Sequence, residues 1–545
     1  PSPCAYFCEI RRTAGLCARF AARIRPARQS PPAGGDFSLW LLAAPIRLRR
    51  APISAKYGAP LGYVLTALRA YAQPIPPTHA PVDALKKYIT TYAKKAYLFH
   101  AIDRKTHAPF ARVSSHASPI IAKRSKSMIK IFCGNIVHAP RFGELEIIEH
   151  GYIALKDGVI AYIGQEMPTD WAVYEFNYFY DRLIMPSFCD MHLHAPQYPM
   201  LGMGMDLPLL DWLNTYTFKT EARFCDTEYA REVYAKLAQE LIDNGTTRVV
   251  AFGSIHTDST LILMEEFENA GITGYVGKVN MDRNGGTNLE ETTEESIRET
   301  ERWLERCADF KYIKPILTPR FTPSCTNELM SALGKLAKTH DLRVQSHLSE
   351  NTSEIAWVSD LHPDCKQYWE TYDKYGLWKS HTVMAHCVHS DKRERDAIKA
   401  NDVVVAHCPA SNVNLVSGVA PIRTMLDEGL WVTLGSDIAG GDVLPMLGVI
   451  TEAIKSSKIK RIESNWTKDF LSVAEAFYLG TTAGAKYFGG GDGFAIGDKF
   501  HAVVIKDSDA VDVDRLSIRE RFERAIYRTK EQDIIAVYSD GRRVK

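Results

Sequence analysis

The sequence contains no uninterrupted apolar run of the roughly 18 residues that a membrane-spanning helix needs. Its best candidate stretch, FSLWLLAAPI from Phe37, is ten residues long. Of the 545 residues, 46% are apolar and 24% are charged, so the chain can bury a large core. We therefore expect a soluble globular protein of more than one structural unit, with no membrane partner.

Paired cysteines are also missing. Eleven cysteines are scattered along the chain, and none forms a Cys-x-x-Cys pair. Secreted disulfide-stapled domains instead concentrate their cysteines in short sequences. The pattern favours a reducing compartment, and we expect a cytoplasmic protein whose cysteines are mostly buried thiols.

Methionine and acidic residues are rare or absent in residues 1–127. This segment holds no Met and has 21 Lys and Arg against 4 Asp and Glu, whereas the rest of the chain has 45 against 61. A targeting segment is basic and poor in acids, and a basic arm can bind nucleic-acid phosphates. We favour a third interpretation, because strand-like patterning begins only at Met128. Residues 1–127 are then a basic Pro/Ala/Arg-rich extension, disordered or an artefact of the gene model, and no nucleic-acid partner is expected.

Alternating β-rich patterning marks both ends of the remaining chain. It opens with IKIFCGNIVHA after Met128 and returns near the C-terminus in GFAIGDKFHAVVIKD and DIIAVYSDGRRVK. Asp157-Gly158 and Asp540-Gly541 match the two-residue turns that β-hairpins prefer. We predict that residues 128–184 and 493–545 pair into one small β-domain.

Between these ends, short β-branched runs alternate with amphipathic helical stretches, as in parallel sheets built from βα units. Val233, Leu237 and Leu241, for example, recur at helical spacing before a C-terminal stop at Gly245. Eight strand candidates are present: RLIMPSFCDMHLH, TTRVVAFGSIH, ITGYVGKVNMD, KYIKPILTPRF, LRVQSHLSE, HTVMAHCVH, DVVVAHCPASN and LWVTLGSDIAGG. They predict an α/β fold, a (β/α)8 TIM barrel, over residues 185–492.

Polar side chains follow several of these strand candidates. They are His192 and His194 after the first, Arg320 after the fourth, His347 and Glu350 after the fifth, His386 after the sixth and Asp437 after the eighth. A His-x-His pair alone is more often a surface or satisfied core pair than a ligand pair. In a strand, however, both rings point to one face, and barrel chemistry sits at the C-terminal strand ends. Three His and one Asp predict a zinc site.

Six stretches of the chain carry a resemblance to a known family. They are HLHAPQYPMLGMGMDLPLLDWLNTYTFKTEARF, LTPRFTPSCT, QSHLSEN, VMAHCVH, AHCPASN and LGSDIAGG. Together they resemble the guanine deaminases of the amidohydrolase superfamily. The resemblance covers nearly all of residues 128–545, and the first stretch is the most discriminating. It implies a distorted barrel with a small β-sandwich domain formed from both ends.

The resemblance also implies roles for single residues. The metal ligands fall on His192, His194, His347 and Asp437, which would hold one Zn²⁺ per subunit of a homodimer. The catalytic groups fall on Glu350, His386 and Asp437, and the substrate-binding groups on Gln197, Arg320, Phe321, His194 and Glu350. Ala410, Cys387 and Ser436 stand where the family commonly has Asn, Gly and Thr.

The implied reaction is the hydrolysis of guanine to xanthine and ammonia in purine catabolism. Zinc can lower the pKa of bound water to about 7, and Glu350 would carry the water proton to the purine ring nitrogen. His386 would hold the hydroxide, and Asp437 would pass a proton to the departing ammonia. Arg320 would present a fork of donors to the guanine carbonyl, a feature that adenine lacks.

Two other functions remain open. A different amidohydrolase could act on a pterin, a triazine or another nucleobase, although the stretches APQY and PRF count against it. A catalytically silent barrel could serve as a scaffold, but such a protein would typically have lost a metal ligand or Glu350. The cytidine-deaminase type of zinc site is excluded, because HCPAS lacks its Pro-Cys-x-x-Cys motif.

Overall fold

A computed structural model describes residues 129–167, 174–286, 289–507 and 511–545. All of them lie in a single unit that spans residues 121–545. The predictions made for residues 1–127 fall outside the described residues.

Strands occur in three regions of the described chain. They are β1 Ile129–His138, β2 Glu146–Lys156, β3 Val159–Gly164, β4 Tyr174–Pro186, β5 Phe188–His194, β6 Thr246–Phe252, β7 Thr273–Gly277, β8 Val279–Asn280, β9 Ile313–Pro315, β10 Thr318–Pro319, β11 Gln345–Leu348, β12 Val383–His386, β13 Val404–His407, β14 Trp431–Leu434, β15 Ala502–Ile505, β16 Ile534–Ser539 and β17 Arg542–Arg543.

Helices separate the strands of the middle region. They are α1 Leu209–Trp212, α2 Phe218–Glu221, α3 Thr227–Asp243, α4 Thr257–Ala270, α5 Thr293–Cys307, α6 Asn327–Thr339, α7 Thr352–Leu361, α8 Glu370–Asp373, α9 Lys392–Ala400, α10 Pro409–Asn414, α11 Ile422–Asp427, α12 Met446–Glu463, α13 Val473–Gly480, α14 Thr482–Tyr487 and α15 Ile518–Arg528. A π-helical turn, Leu213–Thr217, joins α1 to α2.

Helix α3 shows how the sequence sets a helix locally. The Asp226 carboxylate caps its first turn by accepting hydrogen bonds from the amides of Glu228 and Tyr229. Val233, Leu237 and Leu241 are buried, as their spacing predicts. Gly245 follows the helix with a φ of 81°, a left-handed conformation that suits glycine.

The two ends of the described chain share one seven-stranded sheet in the order β17-β16-β15-β4-β1-β2-β3. Strand β15 brings the C-terminal part into the sheet by pairing antiparallel with β4 and with β16. The predicted hairpin turns are confirmed, since Asp157-Gly158 joins β2 to β3 and Asp540-Gly541 joins β16 to β17, with positive φ at all four residues.

The middle region contains the parallel strands. They form two four-stranded sheets, β5-β6-β7-β9 and β11-β12-β13-β14, and β8 pairs with β10. A parallel bridge between Leu317 and Val344 links the segment after β9 to the segment before β11. Each of the eight predicted strand segments contains a strand of these parallel pairings, so the predicted α/β class is confirmed.

The segment after β14 reaches β5 by hydrogen bonds. The Asp437 amide donates to the His192 carbonyl at 2.8 Å, and the His194 amide donates to the Ile438 carbonyl at 3.2 Å. Gly435 permits this approach, because a Cβ there would meet the Cβ of His192 at 2.8 Å. The last parallel strand therefore delivers Asp437 beside the two histidines of β5.

Cysteines and apolar side chains fill the interior. All eight cysteines in the described ranges are free thiols, and six of them are buried.

Among the described helices, none combines the length and apolar character needed to cross a bilayer.

Phe500 joins the two ends of the chain in the core of the seven-stranded sheet. Its fully buried ring lies 4.8 Å from that of Phe132 in β1, 5.7 Å from that of Phe494 and 5.5 Å from that of Tyr538 in β16. We predict that Phe500→Ala lowers the free energy of unfolding by about 3–5 kcal/mol, measured by denaturant titration. Ile496→Ala, at a side chain that is 66% exposed, should change it by less than about 0.5 kcal/mol. Equal effects of the two substitutions would contradict the packing described.

Candidate metal centre and active site

Four predicted metal-binding side chains meet at the carboxyl ends of the parallel strands. His192 and His194 lie at the end of β5, His347 lies in β11, and Asp437 follows β14. All four are buried. The Nε2 atoms of His194 and His347 are 3.1 Å apart, and Oδ1 of Asp437 lies 3.2 Å from His192 Nε2 and 3.5 Å from His194 Nε2.

These distances fit a tetrahedral zinc ion. Ligand atoms about 2.0–2.2 Å from a shared tetrahedral ion are about 3.3–3.6 Å apart. Both ring nitrogens of His192 are buried; Nε2 lies 3.2 Å from Oδ1 of Asp437, and Nδ1 has no hydrogen-bond partner among the described residues, so protein groups do not fully satisfy this ring. Three imidazole nitrogens and one carboxylate are a donor set that zinc accepts.

Hydrogen bonds set the tautomers of two rings. Nδ1 of His347 donates to the carbonyl oxygen of Arg320 at 2.6 Å, and Nδ1 of His386 donates to Oδ1 of Asn412 at 2.9 Å. A neutral ring that donates from Nδ1 keeps a lone pair on Nε2. Both Nε2 atoms are thus available to the site, a pattern common around metal-bound histidines.

Burial and charge adjust the protonation of the cluster. Burial lowers the pKa of His192 and holds the pKa values of His194 and His347 well below their usual range. Burial alone would raise the pKa of Asp437, but the hydrogen bond and charge of His192 and the charges of His386 and His194 hold it well below its usual value. Neutral imidazoles beside an ionised carboxylate are the forms that bind a metal ion.

Glu350 lies beside this cluster. Its Oε2 is 3.5 Å from His386 Nε2, and its Oε1 accepts a hydrogen bond from Ser417 at 3.2 Å. Burial raises the pKa of Glu350 to about 7. Burial lowers the pKa of His386, but the charges of the Glu350 and Asp437 carboxylates raise it by more. The net effect is a pKa above the usual value. The two groups can exchange protons near neutral pH.

The other predicted residues line the same cavity. Gln197, Arg320 and Phe321 face it together with His194, His347, Glu350, His386 and Asp437. Leu209, Trp212 and Leu213, from the helical segment that follows β5, contribute apolar walls. His192 lies behind His194 and contacts Asp437. The structure therefore brings all the predicted site residues together.

The sequence analysis missed Glu221, a buried residue at the end of α2. Its carboxylate accepts from Nη1 and Nη2 of Arg320 and from Nε2 of Gln197, the last at 2.8 Å. The Gln197 oxygen in turn accepts from the Ala439 amide at 3.0 Å. Glu221 thus orients the side chains of both Gln197 and Arg320, although the letters KTEARF alone indicate only a polar helix face.

Glu354 is a second missed residue, and here a sequence signal existed. Asn351 and Glu354 form a capping box at the start of α7. The Glu354 carboxylate accepts from the amide of Glu350 at 3.0 Å and from the Tyr368 hydroxyl at 2.7 Å. It therefore holds the turn that carries Glu350.

Ser436, Cys387 and Ala410, the three residues that differ from those common in the family, lie near the metal-binding cluster. Oγ of Ser436 donates to Asp190, which also accepts from the Ser436 amide at 2.9 Å. Cys387 and Ala410 are buried, and burial raises the pKa of the Cys387 thiol well above its usual value. The buried ammonium of Lys278, in the third strand candidate, pairs with Glu291 at 2.8 Å and is therefore engaged away from the cluster.

Comparison with known proteins decides the family. The model of the amidohydrolase family matches residues 183–544. The chain belongs to the amidohydrolase family. Metal dependence and hydrolase chemistry are properties of this family, as the sequence analysis expects.

Two curated relatives of this amidohydrolase are guanine deaminases. The chain is 39% identical over 401 residues to that of Mus musculus, covering 70% of this chain and 88% of the relative. It is 35% identical over 448 residues to that of Dictyostelium discoideum, covering 77% and 99%.

A solved guanine deaminase from C. acetobutylicum, with guanine bound in its active site, has a TM-score of 0.75 to this amidohydrolase. Their sequences are 44% identical, and the match covers 76% of this chain and 99% of that one. The predicted resemblance to guanine deaminases is confirmed.

We predict that His347→Ala weakens zinc binding more than the roughly 10–100-fold typical of losses around a ligand. Competition with a chromophoric chelator measures the affinity. His256→Ala is the matched control, since His256 also follows a strand but lies outside the cluster, and it should retain wild-type affinity. Unchanged zinc affinity in His347→Ala would contradict the ligand assignment.

Proposed function

We propose that the protein is a zinc-dependent guanine deaminase that converts guanine and water to xanthine and ammonia in purine catabolism. One observation carries the proposal: three members of the metal-binding cluster, His194, His347 and Asp437, line a single cavity together with Glu350 and the Gln197–Arg320 pair. The similarity to a guanine deaminase with bound guanine supports the choice of substrate.

His192, His194, His347 and Asp437 would hold one zinc ion per subunit. A bound zinc ion supplies Lewis acidity and lowers the pKa of its water to about 7. The three neutral histidines are better zinc ligands than Cys408. A cysteine binds metal as its thiolate, and burial raises the pKa of the Cys408 thiol well above its usual value.

Glu350 moves the protons in the proposed mechanism. Its carboxylate takes the proton of the attacking water and delivers it to the ring nitrogen beside the attacked carbon of guanine. A pKa of about 7 suits a group that must both accept and donate a proton near neutral pH. His386, anchored through Nδ1 to Asn412, holds the attacking oxygen and stabilises charge in the transition state. Asp437 takes the second proton of the attacking oxygen and passes it to the departing amino group, which leaves as ammonia.

Gln197 and Arg320 select the substrate. One N–H of the Gln197 amide group donates to Glu221, and its oxygen accepts a hydrogen bond from the Ala439 amide. One N–H and one lone pair remain for the purine. The Arg320 guanidinium, oriented by Glu221, directs its remaining N–H donors at the guanine carbonyl. Adenine has an amino group at that position, so these buried donors would stay unpaired. Phe321 supplies an aromatic wall.

The proposed architecture is a distorted barrel with a small β-sandwich domain. The two parallel sheets would close into a distorted eight-stranded barrel over residues 185–492, supported by the hydrogen bonds between the segment after β14 and β5. The sheet shared by residues 128–184 and 493–545 would be one layer of a small β-sandwich domain. A homodimer and a cytoplasmic location stay predictions.

An assay of the full zinc-loaded chain tests the function. We predict guanine turnover with release of xanthine and ammonia, and Glu350→Gln should lower kcat by about 10²–10⁴-fold while zinc stays bound. Adenine, a pterin and a triazine are the comparison substrates. Turnover of one of these compounds without turnover of guanine would contradict the proposal that guanine is the substrate. Undiminished turnover of guanine by Glu350→Gln would contradict the acid/base role of Glu350.

A second prediction concerns Glu221. Glu221→Gln keeps the shape of the side chain but removes the charge that orients Arg320, so kcat/KM for guanine should fall about 10–100-fold, mostly through KM. Glu240→Gln is the control, because Glu240 is an α3 carboxylate that bonds Tyr198 outside the cavity. A fall in thermal stability with unchanged KM would show that Glu221 is merely structural.

A further inference from the structure

A second cavity lies at the opposite ends of the parallel strands from the metal-binding cluster. Its volume is about 390 Å³, within the usual range for small-molecule sites. Arg248 near the start of β6, Thr273 at the start of β7 and Lys314 in β9 line one side. Lys499, which precedes β15, and Asp540, in the turn between β16 and β17, line the other. The proposed deaminase mechanism uses none of these residues.

Arg248 is the unusual member of this cavity. It is only 8% exposed, yet none of the carboxylates in the described ranges lies within ion-pair distance of it. Among the described residues, its Nε has no hydrogen-bond partner, and the side chain makes one long hydrogen bond, from Nη2 to the Ser187 carbonyl at 3.5 Å. A buried guanidinium without a counter-charge is unfavourable, so the cavity is suited to an anion.

The rest of the lining adds positive charge. Lys311 and Lys314 flank the cavity without a carboxylate partner among the described residues; Lys311 lies against the ring of Tyr312 instead. Lys499 is 3.5 Å from Asp540. The other lining carboxylate, Asp498, accepts a hydrogen bond from the Gly491 amide. Four cationic side chains thus face two carboxylates, an excess that matches a doubly charged anion.

His501 does not offset this charge. It lies beside the cavity, with Nδ1 3.1 Å from the Thr247 hydroxyl. Burial, followed by the charges of Arg248, Lys499 and Arg542, holds its pKa well below the usual value, so the ring is neutral. A neutral ring can hydrogen-bond an anion without contributing a charge of its own.

We propose that this cavity, centred on Arg248, binds a phosphate group, either as inorganic phosphate or as part of a small organic phosphate. Arginine presents its donors in a planar fork that fits two phosphate oxygens, and lysine contributes a point charge to the same ligand. The site would be separate from the metal centre and independent of the substrate that the metal centre takes.

Calorimetric titration of the full zinc-loaded chain with inorganic phosphate tests the proposal, with potassium chloride of equal ionic strength as the reference. We expect one phosphate per chain in addition to any bound by zinc. Lys314→Gln, an exposed position, should weaken phosphate binding severalfold, and Arg248→Gln should weaken it tenfold or more. Lys335→Gln, on the exposed face of α6 and outside the cavity, should bind like the wild type.

Guanine turnover in Lys314→Gln should stay within twofold of the wild type, which separates this cavity from the metal centre. If Arg248→Gln fails to fold, phosphate binding by Lys311→Gln and Lys314→Gln tests the proposal instead. Both lysine side chains are exposed, so their replacement should leave the fold intact. Tighter binding of guanosine monophosphate than of inorganic phosphate would identify an organic phosphate as the ligand. Absence of phosphate binding in the wild type, or equal binding in the cavity variants and Lys335→Gln, would overturn the proposal.

Discussion

Three buried imidazoles and one buried carboxylate meet within a few ångströms, and the rest of the site depends on this convergence. Such a cluster is unfavourable by itself, because the ring nitrogens face one another and the Asp437 charge lies far from water. A cation at the centre would satisfy all four groups together. Binding of a metal ion would therefore stabilise the cluster and the fold that holds it.

Hydrogen bonds around the cluster help to hold these groups in place, and they come from separate segments of the chain. Arg320 holds His347 through its backbone carbonyl while its side chain is held by Glu221. Asn412 holds His386 from the segment after β13, and Asp190 ties Ser436 to β5. Non-glycine residues with positive φ, among them Ser349, His386 and Asp437, occur at this strand edge. Such conformations persist only where neighbouring contacts hold them, which is frequent at functional sites.

Much of this arrangement is predictable because it depends on local pattern. The parallel strands are short apolar runs of β-branched residues, and their ends are marked by polar side chains such as His194 and Asp437. Two-residue spacing places both histidines of β5 on one face whatever the remaining fold. Glu221 could not be predicted, since it acts only after α2 has brought it to Gln197 and to Arg320, which lies 99 residues further along the chain. Pairings across such distances leave no periodic signal in a single sequence.

Arg320 and Arg248 are buried at opposite ends of the parallel strands, and they differ in whether a carboxylate of the protein balances their charge. Arg320 has its counter-charge within the protein, in Glu221, so its guanidinium can present donors to an uncharged base without attracting a competing anion. Arg248 is equally enclosed but has no such carboxylate within the described ranges. A protein that used Arg248 only for packing would gain by replacing it with an apolar side chain of similar volume. Its charge, beside two lysines that have no ion-pair partner among the described residues, would be balanced by an anion from solution.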